Sequence, residues 1–176
     1  VLSGAEKIRT FTFPSTARSV QDLAFERRKL MRAVVLNEGL ERIGGCKDGQ
    51  QYIGAFYKTR LVHVTLPSTL TVLGDNTFQW CEQLRSVIFA EGSKLEKIDP
   101  KGFCRTGLEK VVIPRNLTEI RGSAFENCKN LKEVVFEEGS RLERIGARCF
   151  SGSGLEEIVL PEGVKEIGAE AFNECK

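Results

Sequence analysis

The sequence predicts a β-rich solenoid, in which short parallel strands stack coil upon coil and helix is scarce. Three observations support this: an apolar pattern recurs end to end through the 176 residues, a phenylalanine recurs in each copy, and turn residues follow each apolar run. A unit this short cannot bury its own apolar face, so neighbouring copies must stack to build a shared core. The seven copies begin near Ile8, Met31, Leu61, Leu84, Leu108, Leu131 and Leu155.

Each copy opens with a short strand. Its first, fourth and sixth positions are apolar, as in Leu108, Val111 and Ile113, and β-branched residues dominate its middle. Because every copy contributes one strand in the same direction, we expect one parallel sheet of about seven short strands. A proline or a Glu-Gly-Ser turn ends each strand, and a second apolar pair such as Leu117 with Ile120 then turns the chain.

The phenylalanine of Gly-x-x-Ala-Phe brings the chain back beneath the strand. It recurs at a fixed place in the copy, so we expect a column of stacked rings in the core. Helix should be limited to a single turn around this motif. The column comprises Phe25, Phe56, Phe78, Phe103, Phe125, Phe150 and Phe172.

From Leu61 onward the copies alternate between 23 and 24 residues. The copies beginning at Leu84 and Leu131, here called long copies, carry extended turns at residues 91–95 and 138–142. Those beginning at Leu61, Leu108 and Leu155, the short copies, have a proline and a shorter connection. The sequence therefore repeats a two-copy unit of 47 residues.

Residues 1–176 are expected to form a single domain, interrupted by an insertion near residues 45–53. No apolar stretch approaches the roughly 20 residues needed to cross a bilayer, so we expect no membrane insertion. The last copy ends without the polar cap that solenoid ends usually carry. We therefore expect this chain to be a fragment of a longer protein.

The pattern Leu-x-x-Ile-x-Leu-Pro-x-x-Val-x-x-Ile-Gly-x-x-Ala-Phe-x-x-Cys resembles the BspA-like leucine-rich repeats. The resemblance runs from Leu61 to Cys175 almost without a break and less cleanly over residues 8–60. It implies a curved right-handed solenoid with its sheet on the concave face, and a family whose members include bacterial and protist surface proteins serving adhesion or protein recognition. An extracellular or cell-surface location follows from the resemblance, whereas unpaired cysteines would suit the cytoplasm.

No residue pattern indicates catalysis, a cofactor or a metal. The single histidine, His63, falls at an outward strand position with no orienting acid assignable to it. The six cysteines contain no Cys-x-x-Cys pair. Three of them, at 81, 128 and 175, share one repeat position with Thr59, Thr106 and Ser153, which predicts a small buried side chain there.

Three residue columns of the strands should face the predicted concavity. The central column is β-branched and the preceding one runs from neutral to acidic, which suits a protein or peptide ligand, although β-branched residues also simply favour strands. The insertion, with Tyr52 as its contact residue, is a second candidate. The predicted partner-binding residues are His63, Thr65, Ile88, Lys110, Val112, Glu133, Val135, Glu157, Val159 and Tyr52.

These observations predict a non-enzymatic protein-recognition or adhesion module. The alternative is a structural or assembly spacer that self-associates end to end through uncapped repeats. The basic run Arg27-Arg28-Lys29 lacks interleaved aromatic residues and the net charge is only +2, so no nucleic-acid partner is expected.

Overall fold

The computed structural model describes residues 8–44 and 53–176. Within these ranges the chain forms thirteen short strands and no helix. The strands are β1 (Thr10–Thr12), β2 (Ser19–Val20), β3 (Ala33–Val35), β4 (Arg42–Ile43), β5 (His63–Leu66), β6 (Val72–Leu73), β7 (Ser86–Phe89), β8 (Lys97–Ile98), β9 (Lys110–Ile113), β10 (Glu119–Ile120), β11 (Glu133–Phe136), β12 (Arg144–Ile145) and β13 (Glu166–Ile167).

The predicted parallel solenoid is confirmed by the strand pairing. The strands β1, β3, β5, β7, β9 and β11, here called the first ladder, are the ones that the sequence predicts. Equivalent residues of successive copies pair in parallel, as in Val64 with Val87 and Val111 with Val134. Their inward side chains are buried and their neighbours face outward, so the register follows the repeat.

A second parallel ladder, which the sequence analysis did not predict, runs along another side of the coils. It joins β2, β4, β6, β8, β10, β12 and β13 in one unbroken sheet. Each strand has two residues and buries its second one, except that Ile167 in the last coil is exposed. The signal was present in the second apolar pair of each copy, which we interpreted as a turn.

The first ladder is interrupted, unlike the second. Its strands form one sheet of β1, β3, β5 and β7 and another of β9 and β11, and residues 156–160 of the last copy form no strand. Both interruptions fall where a short copy follows a long one. The long copies close their strands with Phe89 and Phe136, half-buried rings that occupy the position of Leu66, Ile113 or Leu160 in the short copies. The 47-residue unit of the sequence is thus a pair of hydrogen-bonded strands in the structure.

The predicted column of phenylalanine rings fills the core. From Phe25 to Phe172, successive ring centroids lie 5.2–5.5 Å apart and their planes agree to within 10°. At the front end Phe11 and Phe13 pack edge-on against Phe25, at centroid distances of 4.9 and 5.7 Å. These two rings cover the first ring of the column.

A third hydrogen-bonded side replaces the predicted helical turn. Around every core phenylalanine except Phe56, two positions adopt positive φ, as Lys101 (58°) and Arg105 (57°) do. These left-handed residues cost roughly 1–2 kcal/mol each. This backbone conformation directs main-chain N–H groups toward the next coil. Phe103 N–H donates to the carbonyl of Ala124 (2.9 Å), and Arg105 N–H donates to the carbonyl of Glu126 (2.8 Å).

The predicted column of small buried side chains alternates hydroxyls and thiols. Thr106 Oγ1 lies 3.2 Å from Cys128 Sγ, and Thr59 Oγ1 lies 3.2 Å from Cys81 Sγ. Each thiol also donates to a phenylalanine carbonyl, Cys128 to Phe103 at 3.1 Å. The cysteines of the described residues are free thiols, whereas Cys46 lies outside those residues.

These buried thiols predict a pH-dependent stability. Burial raises the pKa of Cys81 and of Cys128 from 9.0 to about 12. Between these values the unfolded chain releases the thiol protons and the folded chain retains them. The contribution of the neutral thiols to stability is therefore complete below pH 9.0 and is lost as the pH rises toward 12. Over this pH range each thiol should lower the free energy of unfolding by about 1.4 kcal/mol per pH unit.

Urea unfolding at a series of pH values from 8 upward measures this loss, and the Cys81→Ser/Cys128→Ser variant is the control for other groups that titrate there. The wild-type free energy of unfolding should fall more steeply than that of the variant. Equal slopes would contradict the assignment of neutral buried thiols.

Candidate functional site

The central column of the first ladder presents apolar side chains to solvent. Val35 is 51% exposed, Ile88 56%, Val112 40% and Val159 85%, while Thr65 is also exposed and Val135 is half-buried. Successive side chains of a strand point to opposite faces. Because neighbours such as Val111 and Val134 point into the core, the side chains of the central column point outward. The column forms a stripe of β-branched side chains on successive coils.

The neighbouring column carries polar contacts between adjacent copies. His63 Nδ1 lies 2.8 Å from Ser86 Oγ, and Lys110 Nζ lies 2.8 Å from Glu133 Oε1. Both pairs are exposed or nearly so, and an exposed ion pair contributes about 1 kcal/mol or less to the stability of the fold. In the next coil Glu157 is exposed and, among the described residues, has no cation within 4.0 Å. The column therefore becomes acidic toward the last coil.

A cleft opens where the first ladder ends. Its volume is about 670 Å³, and it lies between β11 with its following turn and residues 157–163. Four of the predicted binding residues line it, namely Glu133, Val135, Glu157 and Val159. The structure thus brings these four together, while Thr65, Ile88 and Val112 lie along the stripe that leads to them, and His63 and Lys110 lie in the neighbouring column. Tyr52 and most of the predicted insertion loop lie outside the described residues.

Sequence analysis missed the remaining walls of this cleft. Phe136, Ile158 and Leu160 supply apolar surface, and Glu137 and Glu162 add carboxylates. The available signal was the phenylalanine at the end of each long copy, in a position that takes leucine or isoleucine in the short copies.

A second exposed feature, also missed, lies on the side that follows the core phenylalanines. The ring of Trp80 is flanked by two cations, with Lys58 Nζ 5.1 Å and Arg105 Cζ 4.5 Å from its centroid. Cation–π contacts of this kind are worth about 0.5–1 kcal/mol at exposed sites. The three side chains occupy equivalent positions in successive coils, so the contact reinforces the stacking on this side.

The described residues contain no catalytic or metal-binding arrangement that we can assign. No group of three His, Cys, Asp or Glu side chains is placed to hold a metal ion in residues 8–44 and 53–176. His63 contacts Ser86, but on open sheet surface rather than in a pocket. Cys81, Cys128 and Cys149 are buried, and burial raises the pKa of each thiol, which makes them poor nucleophiles.

The repeat matches a known family model. Residues 1–46 and 52–176 match the BspA type leucine rich repeat region in six copies. The chain belongs to the BspA-type leucine-rich repeat family. Proteins built from leucine-rich repeats are generally non-enzymatic scaffolds, and membership suggests a protein-interaction or surface-protein role.

Solved structures of bacterial leucine-rich repeat proteins share the fold. One from Bacteroides ovatus is 26% identical with a TM-score of 0.70, over 96% of this chain and 47% of its own. One from Eubacterium ventriosum is 23% identical with a TM-score of 0.76, over 96% and 43%. A leucine rich cell surface protein from Faecalibacterium prausnitzii is 21% identical with a TM-score of 0.56, over 96% and 45%.

This BspA-type chain spans less than half the length of those three proteins. No curated protein sequence matches it. Across the described ranges, no helix of the length and apolarity required to cross a bilayer is found.

Proposed function

We propose that this BspA-type repeat domain is a non-enzymatic recognition or adhesion module that binds a protein or peptide through the outward face of the first ladder. The observation that supports this most directly is the stripe of exposed β-branched residues, with Ile88 and Val112 at its centre. Contiguous exposed apolar surface tends to mark interaction sites.

The polar surroundings of the stripe support a protein ligand. A docking surface needs an apolar centre with a polar rim, and the His63–Ser86 and Lys110–Glu133 pairs flank the stripe along one edge. The strands are short and their side chains are fixed by the ladder, so little conformational entropy is lost when a partner docks. Stacked repeats commonly use such extended faces for binding.

We place the domain outside the cell or at the cell surface. The support is the cell-surface description of the similar F. prausnitzii protein together with the family. A cytoplasmic location is the alternative, and the free thiols of the described residues are compatible with it.

A test that introduces charge into the stripe separates binding from scaffold effects. In the Ile88→Glu/Val112→Glu variant, two carboxylates replace apolar surface, so a partner should be retained at least about tenfold less well, while the fold should lose about 1 kcal/mol or less per site. The control is Leu30→Glu, since Leu30 is 44% exposed and lies outside both ladders.

The measurement is quantitative pull-down from surface extracts with the three immobilised proteins, after matching their thermal unfolding. Partners held by wild type and control but lost by the double variant would support the stripe. Equal recovery by all three would contradict it.

A second candidate function is a spacer that self-associates through its ends. Sedimentation velocity over a hundredfold range of concentration tests this function. The spacer predicts a sedimentation coefficient that rises with concentration and that Ile167→Lys makes constant, while a concentration-independent monomer for the wild type would exclude it.

A further inference from the structure

We propose that the cleft beside β11 receives an extended basic segment of the partner, which adds to the first ladder as an extra strand. This inference rests on the proposed function and names the kind of ligand that the face would take. It concerns the interface between the sixth and seventh coils, where the first ladder is unpaired, as it also is between β7 and β9, and where a cleft opens in addition.

The two coils are joined on two sides and open on the third. In the second ladder Arg144 pairs with Glu166 and Ile145 with Ile167. In the core Phe150 and Phe172 stay stacked at 5.5 Å, and Phe150 N–H donates to the carbonyl of Ala171 at 2.8 Å. The coils are therefore held together at normal spacing away from the cleft.

On the first-ladder side the strand pairing stops and the cleft opens. Among the described residues no main-chain hydrogen bond joins Glu133–Phe136 to residues 157–160. The edge of β11 that faces away from β9 thus presents N–H and C=O groups without ladder partners. Such an edge is the template used when an extended peptide adds a strand to a sheet.

The walls of the cleft fit the side chains of an added strand. Val135 and Phe136 lie on one wall, and Ile158, Val159 and Leu160 lie on the other. A strand presents its side chains alternately to two faces. A segment with apolar residues at every second position would cover these side chains.

The rim of the cleft is acidic. Four carboxylates line it, from Glu133, Glu137, Glu157 and Glu162, against the single ammonium of Lys132. Glu133 is paired with Lys110 at 2.8 Å, and Glu137 accepts the N–H of Arg115 at 2.9 Å. Glu157 and Glu162 have no cation within 4.0 Å among the described residues. Lysine or arginine at the remaining positions of the segment would complement this rim, whereas a nucleic acid would be repelled.

The test uses a fluorescein-labelled heptapeptide that alternates lysine and valine. Its binding to the 176-residue chain is measured by fluorescence anisotropy at low salt. Two further peptides serve as comparisons: one with glutamate in place of lysine, and one with N-methyl groups on alternate amides, which removes the donors of one strand edge. We expect the basic peptide to bind and both comparison peptides to bind at least about tenfold more weakly.

Matched variants locate the site. Glu157→Lys/Glu162→Lys removes the two unpaired rim carboxylates and should weaken binding by about tenfold or more. Glu41→Lys/Glu82→Lys changes the net charge equally at exposed residues away from the cleft and should bind as wild type does. Amide chemical shifts should move in β11 and in residues 157–160 when the peptide is added.

Three results would overturn the inference. The first is no binding of the basic peptide, and the second is equal binding of that peptide by the two lysine variants. The third is binding of the N-methylated peptide as tight as that of the unmodified basic peptide, which would indicate attraction by charge without strand addition. The proposed function is tested separately, because Ile88 and Val112 do not line the cleft. Loss of partners by the Ile88→Glu/Val112→Glu variant together with failure of the peptide would leave the proposed function standing and remove only the cleft.

Discussion

The regular rise of the phenylalanine column is the constraint on which the rest of this solenoid depends. In a stack of repeated rings the centroid separation equals the rise per coil, here 5.2–5.5 Å. Strands in a hydrogen-bonded ladder lie closer together, at about 4.7–4.9 Å. The rings therefore set a spacing slightly wider than that of the strands in either ladder, and each coil must satisfy both spacings.

The same constraint distributes the main-chain hydrogen bonds. Each coil is joined to the next by the second ladder and by the turns around the core phenylalanine, where residues such as Arg105 adopt positive φ to reach the neighbouring carbonyl. These two sides are continuous along the described coils. The first ladder is the side that can be interrupted without separating the coils, and its interruptions follow the alternation of long and short copies. The face that we propose to bind a ligand is therefore the one that contributes least to holding the stack together.

Much of this architecture could be predicted from the sequence because the repeat constrains it many times over. The parallel register, the ring column and the paired hydroxyl and thiol side chains of Thr106 and Cys128 all follow from aligning the copies. The second ladder could not be predicted from periodicity, because two-residue strands such as Glu119–Ile120 are too short to show an alternating pattern. The cleft was missed because it depends on how Phe136 and Leu160 pack across two coils, which is a tertiary property. The alternation of the strand residues identified the outward columns, but it gave no reason to distinguish one part of that face from another.

Residue-resolved hydrogen exchange measured by NMR tests the central claim most directly. The claim is that continuous second-ladder and phenylalanine-side hydrogen bonds hold the coils, while the first ladder is interrupted after β7 and after β11. The account predicts slow and similar exchange for the amides of Gly146 and Gly168, which donate to the carbonyls of Ile120 and Ile145 at 2.7 and 2.8 Å, and much faster exchange for residues 157–160. Protection of residues 157–160 equal to that of these glycines, or rapid exchange of the glycine amides, would contradict it.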